Sequence, residues 1–334
     1  MTRSIPITRR QALQALSLLA GGGLAGAVSP AAAQAGWPNR PIKLVLPSGP
    51  GGGADIFGRP LAEYMAKELG QPVVVDNRPG ANGVLAHEAV VRQPGDGYNL
   101  LISYAAAVMG NKAMAKNLSH DPIADLKPIG IISGEGGNLL VVNSAFPVNN
   151  LKDLLAAAKA SNGGLNYGSW GIGSGGHLVM EAIALQAGVR MNHVPYKTVA
   201  AIPTDMLSGV LQVSTIDAGT PVALIKAGKL RAIAALSGHR LPQLPDVPTI
   251  GEQGFPFDMT PWYGLFGPSS MPADLVNRLN ALLNKWLQLP EVKTLFAEKQ
   301  NSPAPITKSP EAFAAQIQSE LVLWRKLVAD AKVV

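Results

Sequence analysis

The chemistry with most promise in this sequence belongs to backbone amides. In "LVLPSGPGGGADIFGRP", Leu44 to Pro60, an apolar strand runs into a glycine cluster and then a helix. That order gathers N–H groups at a helix N-terminus, where an anion is readily held. Gly49, Gly51 and Ala54 also match the G-x-G-x-x-G/A spacing of dinucleotide loops, and Asp76 lies 22 residues after Ala54, near where a ribose-binding acid would stand. Pro47 and Ser48 part the strand from the first glycine, and Pro50 sits inside the turn. Both weigh against a nucleotide. An exported NAD(P)-dependent oxidoreductase using the Gly49–Ala54 loop therefore stands as the alternative reading.

A second stretch repeats the first pattern. "YGSWGIGSGGHL", Tyr167 to Leu178, again leads from a strand through glycines to a helix, and "DNRPGANG", Asp76 to Gly83, ends another strand. Two anion-binding helix starts at the carboxyl ends of strands suggest a cleft between two lobes that closes on a carboxylate. A helix end contributes about 0.3–1 kcal/mol to an anion, up to ~2 when partly buried, whereas a micromolar ligand needs about 8 kcal/mol. Hydroxyl and amide hydrogen bonds to the charge, at roughly 1.5–3 kcal/mol each, must supply the rest. Ser169, Ser174 and the amides of Gly51, Gly52, Gly53, Ala54 and Asp55 are placed to do so. The competing reading is that these glycines only make tight turns.

Other chemistries lack their residues. His87, His120, His177, His193 and His239 are scattered with no pair at i+3 or i+4, and there is no cysteine, so no metal site is expected. Ser169 has Tyr167 where a nucleophile elbow needs glycine, and no G-K-[ST] follows the first loop. The net charge of +6 is spread out, without a Lys/Arg arm, so no nucleic-acid partner is expected.

The 334 residues suffice for two domains. Hydrophobic residues at 47% and charged ones at 15% suit a folded core. Residues 1–35 read as a signal peptide: basic "TRSIPITRR", an apolar, small-residue stretch, then "SPAAAQA" with cleavage sites after Ala33 or Ala35. Thr8–Leu13 resembles a twin-arginine signal, so either that route or Sec would export the chain. From Ile42 onward strands and helices alternate. The first three strands, "IKLVLP", "PVVVDN" and "YNLLISY", imply a parallel sheet. "LKPIGIIS" and "NLLVVN" add two strands before a second alternating series that ends at "LRAIAAL". Pro60 is expected to delay the first regular helix. Ser309 and Pro310 are expected to start the last one, and the C-terminal helices to return to the first lobe.

The chain resembles the Bug (Bordetella uptake gene) family, the extracytoplasmic solute-binding components of tripartite tricarboxylate transporters. The matching segments are "WPNRPIKLVLPSGPGGGAD", "VVVDNRPGANG", "LNYGSWGIGSGGHL", "HVPYK", "IKAGKLRAIA", "LPDVPTIGEQGF" and "WYGLFGPSSMP", in family order from Trp37 onward. The resemblance implies an α/β, two-lobed type II periplasmic-binding-protein fold with its ligand cleft between the lobes. Lobe 1 would comprise 36–136 and 238–334, lobe 2 137–237, with hinges near Ser133–Gly137 and Ser237. It implies a monomeric, periplasmic binding protein without enzymatic activity or cofactor, which delivers a small carboxylate to a membrane permease. The carboxylate would lie between the loop Ser48–Asp55 and the loop Gly168–His177, which includes Gly173, with Asn77 and Ala81 closing the same wall. The chain departs from the family at Leu46–Gly49, at Thr198 and at Gly209–Gln212. The last two lie toward the distal end of the ligand. Asp217 either faces the cleft, recognising an amine or hydroxyl, or is a solvent-exposed acid. Trp170 either walls the cleft or packs. Asp55 either touches ligand or shapes its loop, and His177 is either a ligand contact or a structural residue at the helix start.

Overall fold

The computed structural model describes residues 36–114, 118–133, 137–196, 201–217, 221–255, 261–299 and 307–332. The chain divides into two units, Met1–Asn39 and Arg40–Val334. Residues 1–35, the expected signal peptide, lie outside the described residues, and the fold below is that of the second unit. No described helix is long and apolar enough to cross a membrane.

The early strand signals form β1 (Ile42–Leu46), β2 (Val73–Asn77), β3 (Asn99–Tyr104) and β4 (Leu126–Ser133). They join β10 (Tyr263–Pro268) in one sheet of order β2-β1-β3-β10-β4. The second series gives β5 (Asn138–Asn143), β6 (Leu165–Ser169), β7 (Met191–Pro195), β8 (Val213–Asp217) and β9 (Leu230–Ala235), in the order β7-β6-β8-β5-β9. The two sheets share one plan. In each, the first three strands run parallel and the fourth is antiparallel to both neighbours. The antiparallel strand β5 follows directly on β4, and β10 returns to the first sheet after β9, so the chain passes between sheets twice. Central strands such as β1 and β5 are nearly continuous apolar runs because both faces are covered.

Helices cover the sheets. α1 (Gly53–Leu69) follows β1, and α2 (Val84–Val91) follows a short 3-10 turn at Ala81–Gly83. After β3 comes a π turn, Ala106–Gly110, leading into α3 (Asn111–Met114). The second sheet carries α4 (Leu151–Ala160), α5 (Gly175–Ala187), α6 (Ile202–Leu207) and α7 (Val222–Lys226). The chain closes with α8 (Ala273–Leu287), α9 (Pro290–Lys299) and α10 (Pro310–Ala331).

One expectation needs correction. α1 does not wait for Pro60 but begins at Gly53 and runs through it. Proline deprives the Ile56 carbonyl of its helical donor, yet Phe57 and Leu61 on either side are fully buried and hold the helix together. The C-terminal helices return to the first sheet as expected, and the last reaches the second series as well. α8 packs on β4 and α1, but α10 packs on β4 and also on α5 of the second series. Its start is as expected, with Ser309 Oγ accepting the Ala312 N–H at 3.2 Å and Pro310 at the first position.

Candidate ligand-binding site

The first glycine loop follows the carboxyl end of β1. Gly51 has φ +75°, which favours glycine, and Gly52 is the N-cap of α1 with no side chain to cap it. Asp55 takes over that work. Its Oδ2 accepts the Gly51 N–H at 2.9 Å and the Arg59 Nε–H at 2.9 Å, while Oδ1 accepts from Asn77 Nδ2 at 3.0 Å. Asn77 Nδ2 also donates to the Ser48 carbonyl at 2.7 Å, and its Oδ1 accepts from Arg59 at 3.1 Å. Burial pushes the Asp55 carboxyl up, but the bonds from Arg59, Gly51 and Asn77 outweigh it and leave it below the usual carboxylate value. Asp55 and Asn77 thus shape the loop.

Those bonds narrow the available donors. Gly52 N–H is turned to the Gly49 carbonyl at 3.0 Å and Asp55 N–H to that of Gly52 at 2.9 Å. Gly53 and Ala54, the first two helical residues, keep amides with no intrahelical partner by construction. Beside them the Ser48 hydroxyl is buried and receives no hydrogen bond from the protein. A side chain on Gly53 would not fit, because its Cβ would lie 2.1 Å from the Tyr263 hydroxyl. Close approach, more than turn-making, explains that glycine.

Asp55→Ala should lower stability by about 1–3 kcal/mol, since it orphans the Gly51 amide and removes one of the bonds that fix the Asn77 side chain. The ion pair adds little to that figure, because the Arg59 side chain is 49% exposed. A reduced urea midpoint is the expected reading; an unchanged midpoint would show that the loop keeps its shape without the carboxylate.

The loop after β2 supplies the second wall. Ala81 and Asn82 both adopt left-handed backbone, φ 45° and 49°, a strain of about 1–3 kcal/mol that its surroundings must hold in place. The Asn82 side chain does this. Its Oδ1 accepts the Tyr104 hydroxyl at 3.1 Å, and its Nδ2 lies within bonding distance of the Ala106 carbonyl, Asn111 Oδ1 and the Gly173 carbonyl at 3.2, 3.1 and 3.3 Å. Two hydrogens shared among three acceptors join the first sheet's loop to the glycine loop of the second series. Ala81 itself is exposed at the turn.

The second glycine loop is built differently. Ser169 ends β6 fully buried, its hydroxyl 2.7 Å from His193 Nε2 and 3.2 Å from the Gly171 carbonyl. Ser174 is the N-cap of α5; it accepts the His177 N–H at 3.3 Å and donates to Ser169 Oγ at 3.2 Å. His177 Nδ1 accepts the Gly173 N–H at 3.1 Å, which requires a neutral ring. Burial holds His177 below its ordinary value despite the pull of Glu181. Its ring stacks on His193 at 4.0 Å, and His193 stacks on Tyr167 at 4.9 Å. Burial, then the neighbouring His177, pushes His193 down to about 3. Ser169, Ser174 and His177 therefore hold the loop in shape. Trp170 is part-buried, with its ring edge 3.1 Å from where a Gly176 Cβ would stand.

Asp217 closes β8 and is part-buried. Thr198 lies outside the described residues. Three residues absent from the sequence-based set, Asn82, Tyr104 and Tyr263, stand against the same loops. Asn82 lay inside the quoted "PGANG", and each tyrosine marks a strand end next to apolar residues. The histidines that looked scattered meet in pairs, His177 with His193 and His87 with His120. No cluster able to hold a metal occurs among the described residues.

The dinucleotide alternative fails on this geometry. A nucleotide-binding half needs a continuing parallel sheet, but here antiparallel β10 follows β3. Asp76 is paired with Arg78 at 3.0 Å and Lys43 at 3.9 Å, and the Tyr263 hydroxyl stands over Gly53.

Known proteins agree with the two-lobed reading. BugT of Bordetella pertussis is 32% identical over 308 residues, 92% of this chain and 93% of its own length. Among solved structures, Rpa4515 of Rhodopseudomonas palustris with adipate has a TM-score of 0.81 at 30% identity, covering 89% of this chain and 98% of that one. MatC from Rhodopseudomonas palustris with bound malate scores 0.79 at 27% identity, covering 87% and 100%. The periplasmic binding protein BugD scores 0.77 at 29%, covering 89% and 99%. The family described as "Tripartite tricarboxylate transporter family receptor" matches residues 57–332. The chain belongs to that receptor family, as an α/β two-lobed solute-binding protein and not an enzyme.

Proposed function

We propose that the protein captures a small carboxylate in the periplasm, as a monomer, and delivers it to the membrane permease of a tripartite tricarboxylate-type transporter. The lobes would be 36–136 with 238–334, and 137–237. The carboxylate accepts from the Gly53 and Ala54 amides and the Ser48 hydroxyl, opposite the start of α5. The observation that carries this reading is the pair of glycine-rich helix starts joined by the 3.3 Å contact from Asn82 to Gly173. The adipate and malate named for two related structures are carboxylates of the size such a cleft would take. Asp55, Asn77, Ser169, Ser174 and His177 act by positioning, and Trp170, Ala81 and Asp217 border the space.

Thermal unfolding of the chain from Gly36 against a panel of carboxylates, with NAD and NADP included, tests this. A ligand at 100 times its Kd stabilises by about 2.7 kcal/mol, a shift of several degrees for a chain of this size. Stabilisation by carboxylates alone is expected. Stabilisation by a dinucleotide alone would overturn the reading.

A further inference from the structure

The parallel strands β1, β2 and β3 end at one edge of the first sheet, the edge from which the loops after β1 and β2 leave. β10 runs the other way, so the start of that strand reaches the same edge. Its first residue, Tyr263, is paired with Tyr104 at the end of β3 and with Ser133 at the end of β4. Tyr263 is part-buried where the rest of β10 is buried. The ring is pinned there by Phe57 of α1 at 5.7 Å and by Tyr104 at 6.0 Å. That packing brings its hydroxyl within 2.1 Å of where a Gly53 Cβ would lie. Cβ positions on a helix tilt toward its N-terminus. The hydroxyl therefore stands at the open end of α1, where the Gly53 and Ala54 amides have no intrahelical partner.

The two tyrosines at this edge differ in what their hydroxyls do. Tyr104 spends its own on Asn82 Oδ1 at 3.1 Å. The Tyr263 hydroxyl has no hydrogen-bond partner among the described residues. Burial above all pushes the Tyr263 phenol well above the usual tyrosine range, so it stays a protonated donor. A carboxylate offers two oxygens with about four acceptor positions, more than the two amides and the Ser48 hydroxyl fill. A phenol O–H beside them can complete the set, and a hydrogen bond to a charged acceptor is roughly twice as strong as a neutral one. We infer that Tyr263 is a ligand contact, its hydroxyl donating to the carboxylate held at the Gly53 and Ala54 amides. This rests on the carboxylate reading of the preceding section and adds to it a side-chain donor supplied by β10.

Calorimetric titration of the natural protein and of Tyr263→Phe with adipate, malate and succinate tests this, with urea unfolding of both proteins alongside. Phenylalanine keeps the ring against Phe57 and Tyr104 and removes only the O–H. The urea midpoint should therefore hold, while the Kd of each acid that the natural protein binds rises about tenfold or more. Equal affinities in the two proteins overturn the inference while the carboxylate reading stands. Weaker binding that comes with an equal loss of stability places the hydroxyl in the fold and overturns it too. If neither these acids nor a wider carboxylate panel bind the natural protein, both readings fall together.

Discussion

Gly53→Ala is expected to lower the unfolding free energy by about 1–3 kcal/mol, and Tyr263→Phe in the same chain to restore most of that loss. The sign follows from two opposing effects. In a helix, alanine is ordinarily favoured over glycine by roughly 0.5–1 kcal/mol. Here the added methyl would stand 2.1 Å from the Tyr263 hydroxyl and 3.0 Å from the ring carbon that bears it. The ring cannot swing away easily, since it packs against Phe57 at 5.7 Å and Tyr104 at 6.0 Å. Overpacking should win. With the hydroxyl gone, the nearest atom recedes to 3.0 Å, tight but within reach of a small shift.

Urea unfolding of the four proteins in this cycle measures the coupling directly. A coupling of about 1 kcal/mol or more, with the double variant more stable than Gly53→Ala, is the expected outcome. An alanine variant as stable as the parent would show that the contact does not dictate this glycine. Binding should behave differently from stability. The methyl stands over the Gly53 and Ala54 amides in the single and double variants alike, so carboxylate-induced stabilisation should be lost in both. Recovery of stability without recovery of binding separates the packing role of Gly53 from its place in the cleft.

Much of this arrangement was legible from the chain because it depends on local order. Strand, glycine cluster and helix are consecutive at Leu44–Leu69 and again at Leu165–Ala187, so periodicity and turn chemistry suffice to place both loops. What crosses the fold was hidden. A buried strand reads the same in either direction, so nothing in "NLLVVN" or "WYGLFGP" marks β5 and β10 as antiparallel. Ser169 and Ser174 read from the sequence as ligand contacts, and His177 as either a contact or a structural residue at the helix start. Each of the three bonds within its own loop, as caps and turns commonly require, a role that spacing alone does not reveal. The residue that reaches between the sheets, Asn82, differs from its neighbours only in tolerating a left-handed backbone while carrying an amide. Pairs such as His87 with His120 depend on contacts across 33 residues, which spacing rules for a single helix cannot reveal.

That histidine pair leads to the second large effect. Stability should be flat above about pH 6.5 and fall as the solution is acidified toward pH 4, before the stabilised carboxylates begin to titrate. His87 is fully buried, with Nδ1 3.2 Å from His120 Nε2 and Nε2 2.7 Å from Ser103 Oγ. Burial, then the facing His120, pushes it from the ordinary 6.5 down to about 3. His120 is also lowered by burial, against the upward pull of Glu88, Asp125 and Asp121 and with Arg92 adding to the depression. The unfolded chain therefore takes up protons near pH 6.5 that the native protein refuses until about pH 3, and stability must fall between those values. At 1.36 kcal/mol per pH unit, His87 alone accounts for about 2 kcal/mol between pH 6.5 and 5. His193, also held near 3 by burial and His177, acts in the same direction. Asp55 and Asp121 contribute in a different window. Burial raises both, but the bonds from Arg59 and Lys112 prevail and leave them below the ordinary 3.8. Their stabilisation is lost only as the pH falls below about 4. His87→Gln should thus be less stable than the parent at pH 7.5, yet have a shallower decline between pH 6.5 and 5, by up to about 1.4 kcal/mol per unit. Urea titrations at half-unit intervals would show it. A parent protein equally stable at pH 7.5 and 5, or an unchanged slope in His87→Gln, would mean that this buried ring takes up its proton in the native state.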